Sequence, residues 1–251
     1  LNGNGQGAWD DASGGRSAEI KKQLVRSSFD ALRWVEQRVD RSLGVPLAGH
    51  GRREAISSVD TSEPVVALTF DDGPHPEQTP RLLDLLAERG IRATFYLIGA
   101  NAQAHPEIVE RTLAEGHELG NHTWSHRFLT TQRSRSILEE VGSAHSVIND
   151  ITGAPPATLR PPYGAVTPGL SGWMNSRFGY ETVLWSVDAA DWEGPDSDTI
   201  TERLVSGARN GSIILVHDPV PAVVEAMPET LDRLLDRGFR FVTVGELLAM
   251  R

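Results

Sequence analysis

The chain has 251 residues, 39% hydrophobic and 23% charged, which suits one large α/β domain, or a somewhat smaller domain with an appendage. A net charge of −10 argues against nucleic acid as a partner, and no stretch reaches the about 18 to 20 apolar residues that cross a bilayer. The absence of cysteine excludes disulfides, thiolate metal sites and a cysteine nucleophile.

Residues 1–16 are rich in Gly, Asn and Ser and read as a flexible lead-in. From Ala18 to Val39 the apolar positions Ile20, Leu24, Phe29, Leu32, Val35 and Val39 recur near helical spacing and predict an amphipathic helix. A loop with Gly44, Pro46, Gly49 and Gly51 follows, and a regular pattern begins near Ser62. Residues 1–61 are therefore read as a flexible and helical appendage, and 62–251 as the main domain. Truncation at Ser62 is expected to keep turnover if the appendage has no part in the chemistry.

Within the main domain the pattern predicts strands at Val65–Phe70, Ala93–Ile98, Glu118–Asn121, Thr158–Arg160, Glu181–Val187, Ser212–Val216 and Arg240–Thr243. Helices are predicted at Pro80–Arg89 with Thr79 as N-cap, at Pro106–Glu115, at Gln132–Ile151, from Thr167-Pro168 to Arg177, and near 199–209 and 222–237. Strands that alternate with helices argue for a parallel α/β barrel or a related closed sheet.

In such barrels chemistry sits where strands end. Thr69-Phe70-Asp71-Asp72-Gly73-Pro74 puts two adjacent carboxylates at the end of the first strand. Like charges so close resist joint ionisation, and a divalent metal on one of them, with the other left as a base, resolves the conflict. Asn121-His122-Thr123-Trp124-Ser125-His126 supplies two more ligands, on one face if that segment is helical. Taken singly, a turn explains the Asp pair and surface exposure explains the His pair. Arg160, then Asp188 and Asp191, then His217 and Asp218 follow the next three strands, so the polar residues converge on one rim. The pattern predicts a metal-dependent hydrolase.

Five motifs in order resemble the polysaccharide deacetylases of carbohydrate esterase family four: Thr-Phe-Asp-Asp-Gly-Pro at 69–74, His-Thr-Trp-Ser-His at 122–126, Arg-Pro-Pro-Tyr-Gly at 160–164, Asp-Ala-Ala-Asp-Trp at 188–192 and Leu-Val-His-Asp at 215–218. The resemblance spans roughly residues 62 to 251. It implies a distorted (β/α) barrel of seven or eight strands. By the same resemblance, Asp72, His122 and His126 hold the metal, Zn²⁺ first, with Co²⁺, Ni²⁺, Mn²⁺ or Fe²⁺ as competitors. Asp71 becomes the general base, paired with Arg160, and the backbone N–H of Tyr163 faces the oxyanion. His217 becomes the general acid, tuned by Asp191, while Leu215 and Trp192 wall the acetyl methyl group; ordinary packing explains the last two equally well.

The expected substrate is an acetylated polysaccharide or oligosaccharide, with chitin oligomers and peptidoglycan ahead of O-acetylated xylan. A glycan-binding module without catalysis would lack the base or a ligand, and this sequence lacks neither. The chain begins at Leu1 rather than Met, so a removed leader and a secreted or cell-wall-associated monomer are expected.

Overall fold

The structure, a computed structural model, describes residues 51–251, so the helix expected at Ala18–Val39 lies outside the described residues. The order of elements is β1 (Val65–Asp71), α1 (Gln78–Ala87), β2 (Thr94–Leu97), α2 (Gly99–Ala104), α3 (Pro106–Ala114), β3 (Glu118–Asn121), α4 (Ser134–Thr152), β4 (Thr158–Leu159), α5 (Pro168–Phe178), β5 (Glu181–Thr182), β6 (Val187–Asp188), α6 (Ser197–Gly207), β7 (Ser212–His217), α7 (Pro221–Asp236), β8 (Arg240–Phe241) and α8 (Val244–Leu248). All strand pairs are parallel, in the order β5-β4-β3-β2-β1-β7-β6, with β8 beside the first half of β1. This is the expected distorted barrel.

The central strand β1 is buried on both faces, as a parallel strand between two layers must be. Val66, Leu68 and Phe70 point outward into the large core shared with α1, α6 and α7. Val65 and Ala67 point inward, to a smaller cluster with Tyr96, Ile213 and Val244. Asp71 ends the same inward row, so the alternation that builds the interior also delivers a carboxylate to its upper rim.

Three expectations change. The strand expected at Glu181–Val187 breaks into β5 and β6, and within the break the Val183 and Leu184 carbonyls accept hydrogen bonds from the Arg160 side chain. Thr79 lies inside α1 rather than capping it; His75 Nδ1 instead accepts from the backbone of Glu77 and Gln78, both at 3.2 Å. The short helices α2 and α8 were not expected. The second starts at Thr243, whose side chain and that of Glu246 cap each other's backbone N–H groups.

The sheet's two edge strands, β5 and β6, are consecutive in the chain, and a segment from before Ser62 spans the break between them. Ile56 N–H donates to Thr182 O, Leu184 N–H to Ile56 O, and Val59 N–H to Gly211 O. Ile56 and Val59 are 6% and 4% exposed and belong to the inner cluster. A chain starting at Ser62 should therefore be less stable than one starting at Gly51 by about 3–6 kcal/mol, the burial of two aliphatic side chains. Urea denaturation of the two truncations checks this, and equal midpoints would show that the segment contributes nothing to the barrel.

Candidate active site

The loops that leave the upper ends of the strands enclose a pocket of about 290 Å³. Asp71, Asp72, His122, His126, Tyr163, Asp191, Trp192, Leu215 and His217 all line it. Arg160, fully buried, stands behind Asp71. The structure thus brings together every residue to which the resemblance gives a role, while Asp218, expected on the same rim, is not among the lining residues.

Consecutive side chains of a strand point to opposite faces, yet Asp71 and Asp72 both enter the pocket. The chain reverses at Asp72, which has φ 74°, and Asn101 on α2 holds the Asp72 carbonyl with a hydrogen bond of 2.9 Å. His122 and His126 are not on a helix, contrary to the condition set by their spacing. Their segment coils through left-handed backbone at Thr123 (φ 69°) and His126 (φ 59°). Asn121 Oδ1 takes the Thr123 N–H at 2.8 Å, and Glu140 takes both the N–H and the hydroxyl of Ser125. The coil returns the second imidazole to within 5.0 Å of the first, ring centre to ring centre.

His122 Nδ1 lies 2.6 Å from the Arg160 carbonyl, which can only accept, so Nδ1 carries a proton and the ring turns Nε2 to the pocket. That Nε2 faces Asp72 Oδ1 at 3.3 Å, and His126 Nε2 faces the same oxygen at 3.2 Å. Asp72 Oδ1 is buried, and among the described residues no hydrogen bond satisfies it. Burial works against the charged form of Asp72, but the nearby His126 and His122 hold its carboxyl well below the usual range. Burial also opposes charge on His122, yet Asp71 and Asp72 raise its pKa; burial pushes His126 down to about 4. Three ligand atoms within 4.8 Å of one another, one of them an orphaned carboxylate oxygen, make a site that asks for positive charge. Two imidazoles and a carboxylate fit a divalent metal of borderline softness.

Asp71 Oδ1 accepts from Arg160 at 2.7 Å, while its Oδ2 is 3.6 Å from His122 Nε2. Arg160 also donates to Thr69 Oγ1 at 2.6 Å and to the Leu184 carbonyl at 3.0 Å. Opposite, His217 Nδ1 is 2.7 Å from Asp191 Oδ1, and the other oxygen of Asp191 accepts the His217 backbone N–H at 2.7 Å. Burial opposes the charge on His217, but the Asp191 carboxylate outweighs it, with help from Asp72 and Asp71, and holds the imidazole up at about 10. Asp218 points away from the pocket, fully buried; its carboxylate accepts the Thr79 hydroxyl at 2.6 Å and fills the space beside Gly73.

Tyr163 sits in left-handed backbone (φ 62°, ψ 11°) between Pro162 and Gly164. Its ring stacks on Phe128 at 3.8 Å and 12°, and packs against His126 at 4.6 Å. Phe128 and Trp185 also line the pocket, and sequence reasoning passed over both. Each lies two or three residues from a motif, but aromatic residues there have no spacing that separates a pocket wall from core. Asp188, exposed at the rim, accepts the Ala190 N–H at 2.7 Å. His75 caps α1, and Trp124 packs over Gly99.

A family described as polysaccharide deacetylase matches residues 58–183. The peptidoglycan-N-acetylmuramic acid deacetylase PdaC of Bacillus subtilis is 36% identical over 241 residues, 93% of this chain and 50% of that protein. The chain therefore spans half the length of that relative. A peptidoglycan-N-acetylglucosamine deacetylase of Bacillus cereus is 36% identical over 76% of this chain and 91% of its own length. Among solved structures, the Bc1960 peptidoglycan N-acetylglucosamine deacetylase, crystallised with an N-hydroxybenzamide, superposes with a TM-score of 0.73 at 36% identity, covering 77% of this chain and 91% of that one.

Proposed function

The chain belongs to the polysaccharide deacetylase family, and from that premise we propose that it is a metal-dependent N-deacetylase. Its substrate would be N-acetylglucosamine in peptidoglycan or chitin-type oligosaccharides, and its products acetate and the free amine. One observation carries the reading. A buried Asp-Arg pair and an Asp-His-His cluster face a carboxylate-supported histidine across a single pocket.

Asp72, His122 and His126 would hold the divalent cation, Zn²⁺ first, with Co²⁺ or Ni²⁺ as substitutes. When bound, it supplies Lewis acidity, which lowers the pKa of water towards about 7 and draws charge from a carbonyl oxygen. Asp71, fixed by Arg160, takes the proton of the attacking water. The Tyr163 N–H donates to the carbonyl oxygen as negative charge builds there. His217, supported by Asp191, gives a proton to the nitrogen as the C–N bond breaks, so the amine leaves neutral and acetate is released. Leu215, 2% exposed, and Trp192 offer an apolar wall for the methyl group. One chain supplies every group, so a monomer suffices. Peptidoglycan lies outside the cytoplasmic membrane, and the enzyme is placed there with it; no helix among the described residues is long and apolar enough to cross a membrane.

The test is acetate release from chitin oligosaccharides, peptidoglycan and acetylxylan side by side, after metal stripping and again with Zn²⁺ or Co²⁺ restored. Release from the amide substrates should fall by about 100-fold or more on stripping and return with metal. An N-hydroxybenzamide, a metal chelator like the ligand of Bc1960, should inhibit the restored enzyme. Release from acetylxylan alone would make the protein an esterase, and release indifferent to metal would sink the reading.

A further inference from the structure

Tyr96 has no part in the chemistry above, yet its ring carries the group that holds Asp71. It is fully buried on β2, in register with Asp71 on β1. Its ring crosses the neighbouring strand at Gly120, where a Cβ would fall 2.3 Å from Cδ1 and 2.4 Å from Cε1. Any side chain at 120 would displace the ring.

The Arg160 guanidinium lies over this ring, its Cζ 4.2 Å from the centroid, with the Trp185 ring farther off at 5.8 Å. The N–H groups of a guanidinium all lie in its own plane. The bonds of Arg160 to Asp71, Thr69, Val183 and Leu184 therefore restrain it within that plane. The aromatic face adds a packing restraint on the guanidinium from the side of the ring. Charge also favours the contact, because a buried cation gains from the electron-rich face of a ring. The hydroxyl faces the neighbouring Thr158 Oγ1, and among the described residues neither buried oxygen makes a well-formed hydrogen bond. A buried hydroxyl without a well-formed bond contributes little or costs stability, and the contact with Arg160 is made by the ring face.

We infer that Tyr96 is a positioning residue: its ring holds the Arg160 guanidinium in place and thereby aims the Asp71 carboxylate into the pocket. The kinetic consequence rests on Asp71 acting as the base in the proposed deacetylation.

The test replaces Tyr96, in the whole chain, by Phe, by 4-fluoro- and 3,4,5-trifluorophenylalanine, and by Leu. Fluorine withdraws electron density from the ring face with little change of shape. Gly120→Ala keeps the tyrosine and displaces its ring. kcat, KM, bound metal and Tm are read for each, and the Leu variant is crystallised. Tyr96→Phe should keep kcat, with Tm equal or higher. The fluorinated rings should lower kcat stepwise, and Leu by about tenfold or more, with KM and bound metal unchanged. Gly120→Ala should show the same loss of kcat. In the Leu variant the Arg160–Asp71 hydrogen bond of 2.7 Å should be broken. A flat response to fluorine, a loss in Phe equal to that in Leu, or an intact hydrogen bond in the Leu crystal overturns the inference. If the unmodified chain releases acetate from no glycan, the proposed function fails, and the Leu crystal alone decides the positioning. A guanidinium that has moved away from Asp71 upholds it, and one still bonded to Asp71 ends it.

Discussion

Asp71→Asn should lower kcat by about 10²- to 10⁴-fold while bound metal and KM stay close to those of the unaltered chain. The amide keeps the size of the carboxylate and an oxygen that Arg160 can still donate to at the 2.7 Å position, so the pocket keeps its shape. What it loses is the capacity to take a proton. Asp71 also stands outside the set of ligand atoms formed by Asp72, His122 and His126, which is why metal should remain. The exchange leaves the fully buried Arg160 without its counter-charge, and stability should fall by up to about 3 kcal/mol. Thr69 Oγ1 and the Leu184 carbonyl still accept from the guanidinium and limit that loss. His126→Ala gives the contrasting result. It removes a ligand whose side chain is 22% exposed, so the fold should survive while metal and turnover disappear together. Metal content by mass spectrometry, set beside acetate release, separates the two variants. Turnover undiminished in Asp71→Asn would remove the base assignment.

The parts of this site that the sequence displayed are those governed by strand ends. Asp71, Arg160 and His217 each stand within a residue of the last position of a strand, where alternation and parallel order alone place them on one rim. What stayed hidden depends on backbone that no local pattern announces. The reversal at Asp72 and the coil from Thr123 to His126 use left-handed conformations that are uncommon outside glycine, so spacing could bring the two imidazoles together only on the condition of a helix, which is not the route the chain takes. Phe128 and Trp185 enter the pocket because of the loop shapes around Tyr163 and Gly164; a Cβ at 164 would fall 2.9 Å from the Trp185 ring. Likewise, the place of Ile56 and Val59 in the break between β5 and β6 is a long-range pairing, and a segment of so few residues carries no period to read.

His217→Ala should depress cleavage of the N-acetyl substrate by about 10²-fold or more, and cleavage of an activated acetate ester far less, because an amine is a poor leaving group unless protonated and an activated phenolate is not. Asp191→Asn isolates the electrostatic part of that role. In the intact pair the carboxylate lies 2.7 Å from Nδ1 and, against the opposing effect of burial, holds the imidazole up at about 10. An acid works only while protonated, so activity should fall as pH rises through the pKa of His217. A cation held by Asp72, His122 and His126 offsets the share of the shift that comes from Asp72 and Asp71, so the alkaline limb of kcat/KM should lie between 6.5 and about 10. Asp191→Asn should move that limb to lower pH by about one unit or more, with little change on the acid side. The same sign governs folding. A raised pKa contributes stability that is complete below about 6.5 and is lost as pH rises towards 10, so Asp191→Asn should cost more stability at neutral pH than at high pH. A pH profile of kcat/KM for the two chains decides the matter. An alkaline limb that does not move in Asp191→Asn, or equal losses on amide and ester in His217→Ala, would take the acid role away from His217.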